Sequence, residues 1–108
     1  MADWACEEIR TGAGKSRIRE FLISLGREDF VEAAALIRVL QVRGNQMREP
    51  RSKALGGNLF ELRGHQVRIF YTFRPGRRIV LLDGIIKKRT KVPVAELERI
   101  RKLNREVS

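Results

Sequence analysis

The hydrophobic pattern divides the chain into two regimes. Between Ser16 and Gly44 apolar residues recur with a helical period: Ile18, Phe21, Leu22 and Leu25, then Phe30, Ala33, Leu36, Ile37 and Leu40. This spacing predicts two helices joined by a short connection, an antiparallel hairpin with Ser16 as the first N-cap and stops at Gly26 and Gly44. Glu28 and Asp29 fall in the first turn of the second helix, where the dipole favours negative charge. From Gly44 to Gly57 the period is lost, and Asn45, Pro50, Ser52 and Gly56-Gly57 predict a loop. The period then becomes two. Phe60 and Leu62 alternate with Glu61 and Arg63; after a turn at Gly64-His65-Gln66, Val67, Ile69, Tyr71 and Phe73 alternate with Arg68, Phe70, Thr72 and Arg74.

Pro75-Gly76 marks a second turn, and Ile79–Leu82 is apolar on both faces, as an inner strand is. Pro93 then opens a last helix striped by Val94, Leu97, Ile100 and Leu103. Trp4 to Arg10 is a candidate opening strand. The order (β)ααβββα predicts an α+β fold: an N-terminal helical hairpin on one face of a small antiparallel twisted sheet, followed by a C-terminal helix. Tyr71 and Phe73 are expected in the core, and Phe70 either beneath the last helix or stacked on a base.

At 108 residues, a single domain over 1–108 is the natural reading. No apolar stretch approaches the roughly 20 residues of a membrane span, and the start Met-Ala-Asp-Trp-Ala-Cys-Glu-Glu has no secretory pattern, so a cytoplasmic protein with no membrane partner is expected. One cysteine, Cys6, and one histidine, His65, cannot build a four-ligand zinc site; no metal or cofactor is expected. Thr11–Ser16 reads T-G-A-G-K-S, but a phosphate-binding loop needs Gly where this chain has Ile9, so the segment reads as a Gly-rich turn.

Charge sharpens the picture. The formal net charge is +10, yet residues 1–50 are neutral, with eight basic and eight acidic residues. Residues 51–91 carry eleven basic side chains (Arg51, Lys53, Arg63, Arg68, Arg74, Arg77, Arg78, Lys87, Lys88, Arg89, Lys91) against Glu61 and Asp83. Such confinement points to one surface built for an anion, nucleic acid first. A tight turn at 64–66 sets Arg63 and Arg68 opposite each other, leaving the middle of the sheet; like charges so placed repel, and Glu61 alone cannot satisfy both. A merely solvated charged face is the competing reading.

The strand L-F-E-L-R (59–63), the strand Arg68-Ile69-x-Tyr71 and the segment L-L-D-G-I-I-K-K-R-T-K-V-P (81–93) together resemble the RelE/ParE toxin superfamily. The likeness is strongest to its phage-derived, HigB-like branch. It extends to Gly14-x-Ser16 through Phe21-Leu22 and to Ser52-Lys53-x-Leu55. The resemblance implies a RelE-like fold and the toxin of a type II toxin–antitoxin system, a ribosome-dependent mRNA endoribonuclease that inhibits translation by metal-independent 2′-OH transesterification. Its implied catalytic residues are Arg63 and Arg68 for charge stabilisation and Lys87 and Lys88 for phosphate neutralisation or proton transfer; His65, the only histidine, is an acid–base candidate by its own chemistry, against the reading of a solvated turn residue. Arg51, Lys53, Arg74, Arg77, Arg78, Arg89 and Lys91 are the implied RNA-binding set. Implied partners are mRNA on the ribosome and a cognate antitoxin, a helix-turn-helix HigA-like protein through which the pair meets operator DNA. The chain lacks the tyrosine that ribonuclease relatives often carry near the C-terminus, and Val67 precedes Arg68 in place of an aromatic or small residue. A ParE-like DNA gyrase inhibitor, a non-catalytic basic RNA- or ribosome-binding module, and a degenerate toxin that only binds antitoxin therefore stay open.

Overall fold

The computed structural model describes residues 3–88 and 91–107. Element order is β1 (Ala5–Glu8), α1 (Arg17–Ser24), α2 (Arg27–Arg43), a 3-10 turn (Gly44–Gln46), β2 (Ser52–Gly56), β3 (Leu59–Arg63), β4 (Val67–Arg74), β5 (Arg78–Ile86) and α3 (Val94–Val107). The three helices fall where the apolar stripes predict them. Ser16 caps α1, its hydroxyl accepting the Arg19 N–H at 3.2 Å.

Three expectations are corrected. The predicted loop 44–57 contains β2, an edge strand paired with β3 through Ser52↔Leu62, Lys53↔Glu61 and Ala54↔Phe60, with a register shift before Gly56. The sheet, in order β1-β5-β4-β3-β2, is not purely antiparallel: β1 runs parallel to β5, with Cys6 opposite Ile79. Nor do the helices share one face. Ile18, Phe21, Ala33, Leu36 and Leu40 of α1 and α2 pack on Leu62, Val67, Ile69, Tyr71, Ile79 and Leu81. Ile100 and Leu103 of α3 cover the opposite side of the sheet, on Leu59, Phe70, Val80 and Leu82. α1 lies chiefly on β5, while α2 touches β4 and α1 to a similar extent.

The physical reason for two-sided coverage is visible in β4 and β5. β5 is apolar on both faces and β4 adds Phe70 on the second, so leaving that side bare would expose Phe70, Val80 and Leu82 together. A bulge in β5 shifts the register there: Tyr71 pairs with Leu81 and Phe70 with Asp83, so that Asp83 as well as Leu82 lies on the α3 side. Phe70 is fully buried beneath the last helix, which decides its placement. Asp83, also buried, is paired with Arg99 of α3, and Arg99 also donates to Glu96 at 2.6 Å. On the other face Gly84 gives Phe21 room: a methyl group there would stand 2.3 Å from its ring. Among the described residues no helix is long and apolar enough to cross a membrane.

Candidate nucleic-acid interface

Arg63 ends β3 and Arg68 is the second residue of β4, and the two are directly opposite in register. They sit at the turn end of the sheet rather than in its middle, a correction to the expected placement. Their mutual repulsion is resolved by two different means. Arg63 Nε pairs with Glu61 Oε1 at 3.1 Å; the Glu61 side chain is 7% exposed and that of Arg63 29%. Arg68, buried, donates from Nη1 to the carbonyl oxygens of Gly64 at 2.7 Å and Val67 at 3.0 Å. Backbone dipoles thus offset part of the Arg68 charge, while its buried Nε has no hydrogen-bond partner among the described residues.

The turn between them is held from α2. Both carboxylate oxygens of Glu32 accept the His65 N–H, at 3.0 and 3.1 Å. Gly64 permits this approach, since a Cβ there would lie 2.4 Å from Glu32 Oε1. The His65 side chain itself is exposed. Lys87 is kept beside the same turn, its N–H donating to the Gln66 carbonyl at 2.7 Å.

Two clefts meet at Arg63. One, of about 270 Å³, is lined by Lys53, Glu61, Arg63, Lys87 and Lys91, with Leu55, Val92 and Leu97 as its apolar part. The other, of about 480 Å³, lies between α2 and the turn and includes Glu32, Arg51, Arg63, His65 and Arg68. The structure therefore brings together Arg51, Lys53, Arg63, His65, Arg68, Lys87 and Lys91. Lys88 is exposed past the end of β5 and lines neither cleft. Arg89 lies outside the described residues. Arg74, Arg77 and Arg78 stand at the other end of β4 and β5. There Arg74 donates to the Val107 carbonyl, the Arg77 guanidinium covers the Trp4 ring at 4.9 Å, and Arg78 binds Glu7 twice at 2.9 Å. The hydrogen bond from Arg78 holds the Glu7 carboxyl below the usual carboxylate range.

Sequence reasoning missed two residues of this site. Glu61 figured only as charge compensation, whereas it is the one carboxylate inside the smaller cleft, ringed by four cations. Its position in the L-F-E-L-R strand, two residues before Arg63 on the same face, was the available signal. Glu32 carried no signal of its own, because its partner is a backbone N–H in a turn 33 residues away.

The chain can be set beside known proteins on this geometry. Residues 20–105 match the family described as Phage derived protein Gp49-like (DUF891). No curated protein matches the sequence. Among solved structures, a chain in the crystal structure of the toxin–antitoxin complex RelBE2 from Mycobacterium tuberculosis is similar. It is 21% identical, with a TM-score of 0.52, over 82% of this chain and 97% of that one. At that identity the likeness is one of fold, and it agrees with the superfamily that the strand motifs resemble. The family match spans most of the chain, and the chain belongs to the phage-derived Gp49-like family.

Proposed function

We propose that this chain is the toxin of a toxin–antitoxin pair and that it cleaves mRNA, with the Arg63 cleft as its phosphate site. The observation that carries the reading is the position of Arg63: beside the Glu61 carboxylate, in a cleft whose other charged walls are Lys53, Lys87 and Lys91. The shared fold and the strand motifs support it.

The chemistry follows from those groups. Cleavage without a metal requires the 2′-OH to lose a proton while its oxygen forms a bond to the adjacent phosphorus. The bond from phosphorus to the 5′-oxygen breaks, and that oxygen takes up a proton. Glu61 is the proton acceptor in reach. Arg63, turned by its partner towards the same spot, holds the non-bridging oxygens as charge develops on them. The Lys87 and Lys91 ammonium groups neutralise the scissile and flanking phosphates, and one of them or His65 supplies the proton to the leaving oxygen. The products are a 2′,3′-cyclic phosphate and a 5′-hydroxyl. Arg68, tied to carbonyls, acts by keeping the turn and its opposite arginine in place.

The antitoxin fits the same surface. An acidic segment laid over Lys53, Arg63 and Lys87 stops activity by occupancy alone. The helix-turn-helix character of that antitoxin, and operator binding by the pair, belong to the same proposal, as does the ribosome as the place of cleavage.

The reading is tested with purified protein, programmed ribosomes and free mRNA. Cleavage that leaves 5′-hydroxyl ends, and is greater on ribosomes than on free RNA, is expected. Intact RNA together with inhibited DNA supercoiling by gyrase would replace it with the ParE-like reading.

A further inference from the structure

A third concavity, of about 550 Å³, lies on the opposite side of the edge strand β2 from the smaller Arg63 cleft. Its floor is aromatic. Phe60 stacks on Tyr71 with ring centres 5.5 Å apart, and Phe73 meets Phe60 edge-on at 5.1 Å. The Tyr71 ring is buried and its hydroxyl is bonded to that of Ser52 at 2.5 Å, so the surface open to a ligand is that of the Phe60 and Phe73 rings. Phe60 and Phe73 are only half-buried. On the rim stand Arg48 and Lys53, against the single carboxylate of Glu49. The Arg48 guanidinium is fixed by the carbonyls of Asn45 at 3.0 Å and Met47 at 2.9 Å. Lys53 lines this concavity and the Arg63 cleft alike, and Arg51 is exposed beside it.

A planar group with apolar faces, joined to an anionic backbone, is what aromatic rings under a cationic rim accept. We propose that this cleft is a nucleobase subsite for single-stranded RNA whose backbone crosses β2 from the Arg63 cleft, with Arg48 and Lys53 on the flanking phosphates. The inference rests on RNA being the substrate of the Arg63 site and adds where a neighbouring base is held. It also assigns a use to aromatic residues that the cleavage chemistry leaves idle. Stacking tolerates any base, so the subsite adds affinity and register along the strand rather than a strict sequence requirement.

The only tryptophan, Trp4, is a built-in reporter. Its ring meets Phe73 at 5.4 Å and packs on Gly44, where a Cβ would lie 2.1 Å from the indole; Gly44 lines the cleft. The test titrates the full chain with a 2′-O-methyl tetraribonucleotide, which cannot be cleaved, and with four versions each lacking one base, while Trp4 fluorescence is followed. One abasic position is expected to weaken binding by about 5- to 150-fold, the range for one stacked base, and to abolish the fluorescence change. Ala54→Ile, which fills the cleft from exposed β2 with a strand-favouring side chain, should remove that base dependence. If all four abasic versions bind like the parent, the subsite is wrong. The RNA reading then stands provided Arg63→Ala weakens binding. If no oligonucleotide binds at all, both fall. The abasic series on the unaltered chain decides the matter even where Ala54→Ile proves unstable.

Discussion

At Gly64 there is no room for a methyl group. Alanine there would bring Cβ to 2.4 Å from Glu32, so the carboxylate must swing away and give up both hydrogen bonds to the His65 N–H. Gly64→Ala is expected to lower stability by about 1–3 kcal/mol. Adding Glu32→Ala should cost little more, and that non-additivity in thermal melts is the check. The same turn shows what could be read from the residues alone. That Arg63 and Arg68 oppose each other follows from a short turn and period-two alternation. How they coexist does not, because it depends on which partner each finds in three dimensions. A nearly buried carboxylate serves Arg63 and two turn carbonyls serve Arg68. The two arginines are therefore unequal. Arg63→Lys keeps a cation for Glu61 but loses the planar fork, and so isolates the phosphate role from the structural one.

Among the elements, the helices were legible because each carries an uninterrupted apolar stripe, and β3, β4 and β5 because of their alternation. β2 was hidden: Lys53, Ala54 and Gly56 are exposed at an edge, and its Gly-rich end reads as a loop. The side taken by α3 was hidden too. Glu61, Arg63, Arg68 and Asp83 make that face of the sheet look solvated, whereas Arg99 reaches down to Asp83 as Ile100 and Leu103 cover Phe70 and Leu82. β1, paired with β5, is also tied by charge, through Glu7 to Arg78 and through Glu8 to Arg19, Arg10 and Ser16. Hydrogen bonds from Arg78 and Arg19 hold the two carboxyls below their ordinary value of 4.5. A group with a lowered folded pKa contributes stability above its unfolded pKa and loses it as pH falls through the folded one. The attachment of β1 should thus be constant at neutral pH and weaken only below about pH 4.5. Amide-exchange protection at residues 5–8 is expected to fall there before that of β4, and simultaneous loss in both strands would contradict it. Burial also pushes the Cys6 thiol of β1 up to about 11, so it should alkylate slowly at neutral pH.

For the molecule as a whole, the +10 charge and its confinement to the second half were plain from composition. Composition could not show that the fold divides that charge. Lys53, Arg63, Lys87 and Lys91 converge at one end of the sheet, while Arg74, Arg77 and Arg78 are engaged at the other by Val107, Trp4 and Glu7. Strand direction decides this, since Arg68 is the second and Arg74 the last residue of the same strand β4. Single-strand RNA binding should therefore depend steeply on salt, and Lys87→Ala with Lys91→Ala should flatten the log–log slope by about 1.4 if each lysine meets one phosphate.

The most direct test of the central claim is primer extension on cellular mRNA after induction of the unaltered chain and of Arg63→Lys. Codon-spaced cleavage by the former is expected, with a loss of about 100- to 1000-fold in the latter and the melting temperature little changed. Growth arrest without cleavage, or undiminished cleavage by Arg63→Lys, would contradict it.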